Sequence, residues 1–196
     1  MKVILGLGNP GKEYEHTRHK VGWWLVDHLA ARWQFDGWKK DGQAKVVQGH
    51  LSGVRETLRL VKPQTYMNLS GGALVQYARR PFWAAANDLL VLVDDVAIPA
   101  GTWRVRAEGG AGGHNGLKSI QQALGTQQYA RVRIGVGDPE RAPGGPLKDY
   151  VLGAVGKREG QAIRDLFPVI EEAIEAWVRL GVKGALDVQS RSSPKA

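Results

Sequence analysis

The stretch Val3-Ile4-Leu5-Gly6-Leu7-Gly8-Asn9-Pro10-Gly11 decides how the chain folds. Three apolar residues are followed at once by glycines and other turn formers, a pattern that predicts a buried strand whose carboxyl end opens into a loop. Ligands of open α/β sheets bind at such ends. We therefore predict an α/β protein with its functional site beside the loop that follows the first strand.

The spacing Gly6-x-Gly8-x-x-Gly11 also matches the dinucleotide-binding fingerprint, which requires a helix that opens within the glycines. Residues 12–18 offer only Tyr14 as a sizeable apolar group, so a helix there would have little to pack against a sheet. Helical spacing of apolar residues appears later, at Val21, Trp24, Leu25, His28 and Leu29. We therefore reject a dinucleotide site and place the first helix after residue 20.

This assignment places His19 at or just before the first turn of that helix. The positive end of the helix dipole disfavours a charged imidazolium there, which favours a neutral ring that can accept a proton. His19 is therefore a candidate general base. A cap or an ordinary surface residue is the alternative for a lone histidine at a helix start.

Length and composition are typical of one soluble domain. With 196 residues, 43% of them hydrophobic, the chain can form one α/β domain with a sizeable core, and no composition shift indicates a second domain. No apolar run approaches the roughly 18 residues that a membrane span needs, and the start lacks a signal-peptide pattern. Since there is no cysteine, a thiolate metal site and a thiol nucleophile are excluded, which fits a reducing compartment. We expect a soluble cytoplasmic protein.

The five histidines do not occur in the His-x-x-x-His spacing of zinc-binding helices, so we expect no metal and no other cofactor.

The net charge of +8 is concentrated in two segments. Residues 31–62 carry seven Lys and Arg against three Asp and Glu, and residues 102–133 carry five against one. The rest of the chain is therefore neutral overall. Concentrated positive charge favours a polyanionic partner such as RNA, and a solvated basic face without a partner is the alternative.

Asp94 and Asp95 follow the most apolar run of the chain, Leu89-Leu90-Val91-Leu92-Val93. This run predicts a central strand buried on both faces, which we expect to end abruptly at the two aspartates. A carboxylate at such a position can accept a hydrogen bond from an imidazole and fix its tautomer, which suits a partner of His19. A solvated turn before Pro99 is the alternative, and it suits Asp95 better than Asp94.

The segment between the first helix and the strand at residues 89–93 predicts a hairpin and a helix. Residues 45–50 and 54–62 are strand candidates that we expect to pair as a hairpin. Residues 64–70 then lead into a predicted helix, which places Asn68 near a helix entrance. An N-cap is the ordinary role of asparagine there.

Two segments alternate arginine with apolar residues, Trp103-Arg104-Val105-Arg106 and Arg131-Val132-Arg133-Ile134, and both predict strands with one basic face. We expect Arg106 and Arg133 to share a side of the sheet and to bind phosphate. The glycine-rich residues 108–116 lie between them and can bring backbone amides close to a ligand. A flexible loop without a ligand is the alternative.

The last third of the chain predicts a loop and helices. Residues 137–146 are rich in glycine and proline, and we expect a loop that acts as a lid. Residues 157–180 predict a long amphipathic helix that Pro168 kinks or breaks. We expect residues 189–196 to form a polar, frayed tail.

Five blocks together resemble the signature of the bacterial peptidyl-tRNA hydrolase family. The blocks are residues 6–11 with Tyr14, residues 17–19, residues 66–71, residues 94–95 and residues 112–118. They follow the family's order and spacing over nearly the whole chain. The resemblance implies a monomeric, single-domain α/β fold with a mixed twisted sheet packed by helices. It also implies metal-free hydrolysis of the ester that joins a peptide to the terminal ribose of tRNA.

The resemblance further implies roles for individual residues. His19 matches the general base, Asp94 the carboxylate that orients it, and Asn9 the residue that senses the blocked amino group of the substrate. Arg106 and Arg133 match a basic pair that clamps a tRNA phosphate. Residues that match substrate contacts are Tyr14, Tyr66, Met67, Asn68, His114 and Asn115.

Two positions depart from the family pattern. Lys20 stands where many members have Asn directly after the catalytic histidine, and Ala97 stands where an acidic residue is often found. The first departure changes any family hydrogen bond at that position. Neither replaces the base or its partner.

These residues predict attack of one water on the ester carbonyl, with His19 as proton acceptor and side-chain amides at the oxyanion. No serine stands in a Gly-x-Ser-x-Gly elbow, which argues against an acyl-enzyme. Among the amides of Asn9, Asn68 and Asn115 we favour Asn68 for the oxyanion. The alternatives are a non-enzymatic RNA-binding protein on the same fold and a hydrolase of small metabolic esters.

Overall fold

The computed structural model describes residues 1–138 and 146–192. Within these ranges seven strands form one sheet. The strands are β1 (Lys2–Gly6), β2 (Lys39–Asp41), β3 (Ala44–Gly49), β4 (Leu58–Pro63), β5 (Leu89–Pro99), β6 (Trp103–Arg106) and β7 (Ala130–Gly137). Their order across the sheet is β2-β3-β4-β1-β5-β7-β6. The central strands β4, β1, β5 and β7 pair in parallel, whereas the pairs β2–β3, β3–β4 and β6–β7 are antiparallel. The predicted mixed α/β sheet is confirmed.

Helices cover both faces of this sheet. The α-helices are α1 (Val21–Arg32), α2 (Val75–Ala78), α3 (Ala85–Asp88), α4 (Asn115–Leu124), α5 (Leu147–Val151), α6 (Lys157–Asp165), α7 (Phe167–Leu180) and α8 (Val182–Ser192). Short 3₁₀-helices span Lys12–Tyr14, Arg18–Lys20 and Met67–Leu74. Side chains of α1, α6, α7 and α8 form the core on one face, and those of the third 3₁₀-helix, α2 and α4 form the core on the other.

Strand β1 contributes to both cores because successive side chains of a strand point to opposite faces. Ile4 packs in the first core, and Val3 and Leu5 pack in the second. The strand ends at Gly6, and a 3₁₀-helix rather than an α-helix follows the glycines. This confirms the buried strand and the prediction that no α-helix opens within the glycines.

Helix α1 lies very close to the sheet at its amino end. A Cβ atom on Gly22 would lie 2.5 Å from the carbonyl oxygens of Leu7 and Leu92. Only glycine therefore allows α1 to approach β1 and β5 at this point. Because His19 lies only three residues before Gly22, the close packing at Gly22 also sets the distance between His19 and the sheet.

Strand β5 is longer than the sequence predicts. The expectation that it ends at Asp94 and Asp95 is wrong, because β5 continues to Pro99 and pairs with β7 as far as Gly137, with an irregularity after Asp95. The partner strand supplies hydrogen bonds that override the turn preference of two adjacent aspartates. Asp94 is buried within this strand.

The predicted hairpin is confirmed, with Val46 opposite Val61, although β4 starts at Leu58 instead of residue 54. The helix after residue 66 is a 3₁₀-helix from Met67 to Leu74 that continues as α2.

The predicted helix over residues 157–180 is broken as expected, since α6 ends at Asp165 and Pro168 lies in the first turn of α7. The polar tail expected at 189–196 is helical as far as Ser192, and residues 193–196 lie outside the described ranges. Of the predicted lid, residues 139–145 also lie outside them. In the part of the chain that the structure describes, no helix combines the length and apolar character needed to cross a membrane.

Candidate active site

A cavity of about 510 Å³ opens beyond the carboxyl end of β1 and beside the middle of β5. Its volume falls within the range of roughly 300–1,000 Å³ that is common for small-ligand sites. Every residue that was predicted to be catalytic or to contact the substrate lines this cavity, namely Asn9, Tyr14, His19, Tyr66, Met67, Asn68, Asp94, His114 and Asn115. Arg133 also lines it, whereas Arg106 is not among the lining residues.

His19 and Asp94 form a buried pair at the floor of the cavity. His19 lies in the short 3₁₀-helix before α1, and its Nδ1 atom is 2.8 Å from Oδ2 of Asp94. Both residues are less than a tenth exposed. Because an ionised carboxylate can only accept hydrogen bonds, Nδ1 of His19 donates its proton. The neutral ring therefore has Nε2 free of a proton and able to accept one.

His114 contacts the same carboxylate from the opposite side. Its Nε2 atom is 2.9 Å from Oδ1 of Asp94, and its Nδ1 atom accepts a hydrogen bond from the backbone N–H of Gly116. His114 is the N-cap of α4, so the start of this helix fixes the ring. The tautomer with the proton on Nε2 satisfies both contacts. Asp94 thus accepts one hydrogen bond from each histidine.

The charge of Asp94 is maintained by these two rings. Burial by itself raises the pKa of the Asp94 carboxyl, but electrostatic attraction to His114 and His19 and the hydrogen bonds from both rings outweigh burial and hold that pKa well below its usual range. The carboxylate is therefore ionised at neutral pH. An ionised carboxylate at this position stabilises an imidazolium when His19 accepts a proton.

Among the described residues, His19, Asp94 and His114 form a group that could hold a metal ion, with ligand atoms that all lie within 4.8 Å of one another. Their contacts have the length of direct hydrogen bonds. The arrangement is that of a hydrogen-bonded triad.

Three side-chain amides line the same cavity as His19. Asn9 is buried, and its Oδ1 atom accepts a hydrogen bond of 2.8 Å from the backbone N–H of Met67. Since a backbone N–H can only donate, the atom that faces it is the amide oxygen, and the NH₂ group of Asn9 remains to donate elsewhere. Asn68 and Asn115 are exposed at the cavity wall. Tyr66, not Asn68, occupies the N-cap position of the 3₁₀-helix, so the N-cap alternative for Asn68 is wrong.

Lys20 is buried next to Asn9. Its ammonium donates a hydrogen bond to the backbone carbonyl of Asn9 and lies 3.6 Å from the centre of the Trp23 ring. Burial, followed by the nearby charge of Lys62, lowers the pKa of Lys20 to about 8. The departure from the family pattern at this position is therefore a charged contact with Asn9.

The arginines of β6 and β7 lie on one face of the sheet, as predicted, because Arg104 is opposite Arg133 and Arg106 is opposite Arg131. Arg106 is exposed. Arg133 donates to Asp95 at 2.9 Å and to the carbonyl of Gly110 at 3.0 Å. Arg131 is fully buried and also binds the glycine loop, through the carbonyl of residue 109. The arginines therefore differ in exposure and contacts despite the regular alternation.

Comparison with known proteins identifies the family. A family model described as peptidyl-tRNA hydrolase matches residues 3–195. The chain belongs to the peptidyl-tRNA hydrolase family. The peptidyl-tRNA hydrolase of Gemmatimonas aurantiaca is 50% identical over 97% of this chain and 100% of its own. That of Syntrophomonas wolfei is 42% identical over 95% of this chain and 98% of its own.

A crystal structure of peptidyl-tRNA hydrolase from Acinetobacter baumannii has the same fold. It superposes with a TM-score of 0.87 at 30% identity and covers 100% of this chain and 97% of its own. The family resemblance read from the five sequence blocks is confirmed. The roles of the individual site residues stay predictions.

One wall of the cavity in this peptidyl-tRNA hydrolase family member was missed by sequence reasoning. It is formed by α5 and the residue after it, through Leu147, Lys148, Val151 and Leu152. Arg18 anchors this wall, because its guanidinium pairs with Glu159 through two hydrogen bonds of 2.8 Å and stacks 4.1 Å from the centre of the Tyr150 ring. Glu159 lies 141 positions from Arg18, and no local sequence signal indicates such a contact.

Proposed function

We propose that this protein hydrolyses the ester between a peptide and the terminal ribose of tRNA, and so recycles tRNA from prematurely released peptidyl-tRNA. The observation that carries the proposal is the pairing of His19 with an ionised, buried Asp94 inside a cavity lined by neutral amides. A neutral imidazole with a free Nε2 atom and a cluster of uncharged donors suits hydrolysis of an ester by water. Membership of the peptidyl-tRNA hydrolase family supports the choice of substrate.

The proton follows a simple path in this mechanism. Nε2 of His19 takes a proton from a water molecule as the water oxygen attacks the ester carbonyl carbon. The carbonyl becomes a tetrahedral oxyanion, and its collapse breaks the bond to the ribose oxygen. The imidazolium then returns its proton to that ribose oxygen, which leaves a peptide carboxylate, a released proton and a free tRNA terminus. Asp94 stabilises the imidazolium throughout, without taking the proton.

His114 contributes by holding Asp94. Its hydrogen bond to Oδ1 leaves Oδ2 directed at His19, so the carboxylate cannot rotate without losing one of two bonds. A fixed carboxylate keeps the His19 ring oriented between turnovers, and such pre-organisation lowers the barrier of the chemical step.

The amides supply binding and oxyanion stabilisation. The NH₂ group of Asn9 remains free to donate to a carbonyl of the blocked amino end, since its oxygen is already used by Met67. Asn68 is our choice for the oxyanion, because an exposed amide at the wall can donate to a developing charge while staying neutral itself. Tyr14, Tyr66, Met67, His114 and Asn115 complete the substrate contacts as cavity-lining residues.

The basic residues supply the RNA contact. Arg106 and Arg133 lie on one face of the sheet, and we infer that they bind a tRNA phosphate. Since tRNA is used in the cytoplasm, we place the protein there. The family resemblance implies a monomer, and we propose that the enzyme acts as one.

A direct assay tests the proposal. Purified protein is incubated with N-acetylaminoacyl-tRNA and with free aminoacyl-tRNA, each with and without a chelator. We expect rapid release of the blocked amino acid with the chelator present, and slow release of the free one. Binding of both RNAs without ester cleavage would support the alternative, a non-enzymatic RNA-binding protein.

A further inference from the structure

Lys20 has surroundings that are unusual for a lysine. It is 6% exposed, it directly follows His19, and its ammonium binds the backbone carbonyl of Asn9. The same ammonium lies over the Trp23 ring. Burial of a lysine ammonium lowers the stability of the fold unless the charge is compensated. We therefore expect the contact between Lys20 and Asn9 to have a function.

The contact with Lys20 is one of two that hold Asn9. The backbone carbonyl of Asn9 accepts from Lys20, and the side-chain oxygen of Asn9 accepts from the backbone N–H of Met67. The ring of Trp23 also packs against Gly8, where a Cβ atom would lie 2.6 Å from it. Backbone and side chain of Asn9 are therefore fixed separately, and only its NH₂ group remains to face a ligand.

We propose that Lys20 is a positioning residue, whose ammonium fixes the backbone of Asn9 so that the Asn9 amide meets the peptide part of the substrate. This inference rests on the proposed function, since it names what holds a substrate-binding amide in place. Lys20 itself does not line the cavity. It acts through Asn9 and takes no part in proton transfer.

Charged groups from β4, from α1 and from the segment before His19 act on the ammonium of Lys20. Lys62 of β4 repels it, while Glu15 and Glu13 from the segment before His19 and Asp27 of α1 attract it. Lys62 also pairs with Asp27 at 2.5 Å and lies 5.5 Å from the centre of the same Trp23 ring. Burial and Lys62 together lower the pKa of Lys20 to about 8, so the ammonium loses its proton in mildly alkaline solution.

The loss of this proton predicts a pH dependence of kcat/KM that can be measured. A charged donor makes a hydrogen bond about twice as strong as a neutral one. As the pH rises through about 8, Lys20 becomes a neutral amine and its hold on Asn9 weakens. We therefore expect kcat/KM for the blocked aminoacyl-tRNA to decrease above this pH, after subtraction of uncatalysed ester hydrolysis.

Two variants test the inference. Lys20→Met removes the ammonium but keeps a long, apolar side chain against Trp23. Lys62→Met is the matched control, because it removes a second lysine from the same ring without touching Asn9. Both are assayed from pH 6.5 to 9.5 with the wild-type protein, and their melting temperatures are recorded.

We expect Lys20→Met to lower kcat/KM by about ten- to a hundredfold, the effect of a displaced binding group, with the melting temperature retained and the alkaline decrease absent. We expect Lys62→Met to keep its activity at neutral pH and to move the alkaline decrease to higher pH, since the repulsion on Lys20 is gone. A Lys20→Met protein with wild-type kcat/KM, or one with only a lowered melting temperature, would overturn the inference.

If Lys20→Met does not fold, the control decides alone: a shifted alkaline decrease supports the inference, and an unshifted one overturns it. Failure of the wild-type protein to cleave the ester removes the proposed function and this inference together. Cleavage by wild type with an unaffected Lys20→Met variant removes the inference alone.

Discussion

The strongest test of the mechanism is Asp94→Asn. Asparagine has nearly the same shape as aspartate, but it offers one acceptor and one donor group where Asp94 offers two acceptors. His19 and His114 both donate to Asp94, at 2.8 Å and 2.9 Å. In the variant at most one of these hydrogen bonds survives, and the negative charge is lost in either case.

The magnitude follows from the geometry. When His19 accepts a proton, the imidazolium and the carboxylate lie a few ångströms apart, and two unit charges about 4 Å apart interact by about 4 kcal/mol at an effective dielectric constant of about 20. Each loss of about 1.4 kcal/mol in transition-state stabilisation lowers the rate tenfold. We therefore expect kcat to decrease by about 10³-fold. If the amide donates towards His19 and stabilises the wrong tautomer, the decrease is larger.

The assay is single-turnover cleavage of N-acetylaminoacyl-tRNA at saturating enzyme, with tRNA affinity measured separately. Asp95→Asn is the matched control, because Asp95 is the next residue of β5 and pairs with Arg133 instead of His19. We expect the control to keep kcat within about tenfold of wild type. A kcat for Asp94→Asn equal to that of the Asp95 control would refute the assignment of Asp94.

Further predictions concern the base, RNA binding, packing and acid stability. His19→Ala should lower kcat by about 10²-fold or more with tRNA affinity retained, and a change below threefold would contradict its role as base. Arg106→Ala should reduce the slope of log affinity against log salt by about 0.7 to 0.9 and leave kcat unchanged. Arg133→Ala should also reduce this slope and keep kcat within about tenfold of wild type, because its partner Asp95 does not contact His19. Equal losses on a short 3′-terminal fragment would contradict phosphate binding by these arginines. Gly22→Ala should lower the free energy of unfolding by about 1–3 kcal/mol in urea titrations, because its Cβ would collide with two carbonyl oxygens; an unchanged midpoint would show that α1 shifts freely. The pKa of Asp94 is lower in the folded protein than in the unfolded chain, so its ionised form stabilises the fold above about pH 5 and this contribution is lost as the pH falls. Asp94→Asn should therefore reduce the pH dependence of the unfolding free energy between about pH 5 and pH 2.

The sequence was sufficient to predict the main features of the fold and the pair His19 and Asp94. The apolar run before Gly6 and the helical spacing after residue 20 are local signals, and both depend on periodicity that a single sequence contains. Together with the apolar run before Asp94, these signals predict a histidine and a carboxylate near one another, and the structure brings the two into hydrogen-bond contact.

Other features depend on contacts between distant segments. The second hydrogen bond to Asp94 was missed, because His114 was assigned to the substrate and nothing in its own loop indicates which carboxylate it faces. The continuation of β5 beyond Asp94 was missed because β7 supplies the pairing partners. The α5 wall depends on Arg18 and Glu159, which are remote in sequence. Lys20 was recognised as a departure, but its contact with Asn9 required the folded backbone.

The continuation of β5 through Asp94 has a consequence for local opening of the protein. The backbone of Asp94 lies in the ladder with β7, opposite Ile134, while His19 lies in a short 3₁₀-helix outside the sheet. Amide hydrogens of a central strand exchange with solvent only through large-scale unfolding, and those of short peripheral turns exchange through small local openings. The two partners of one hydrogen bond therefore belong to segments of different local stability. Mild denaturant should separate His19 from Asp94 while the sheet persists, so that activity is lost before the slowest amides begin to exchange.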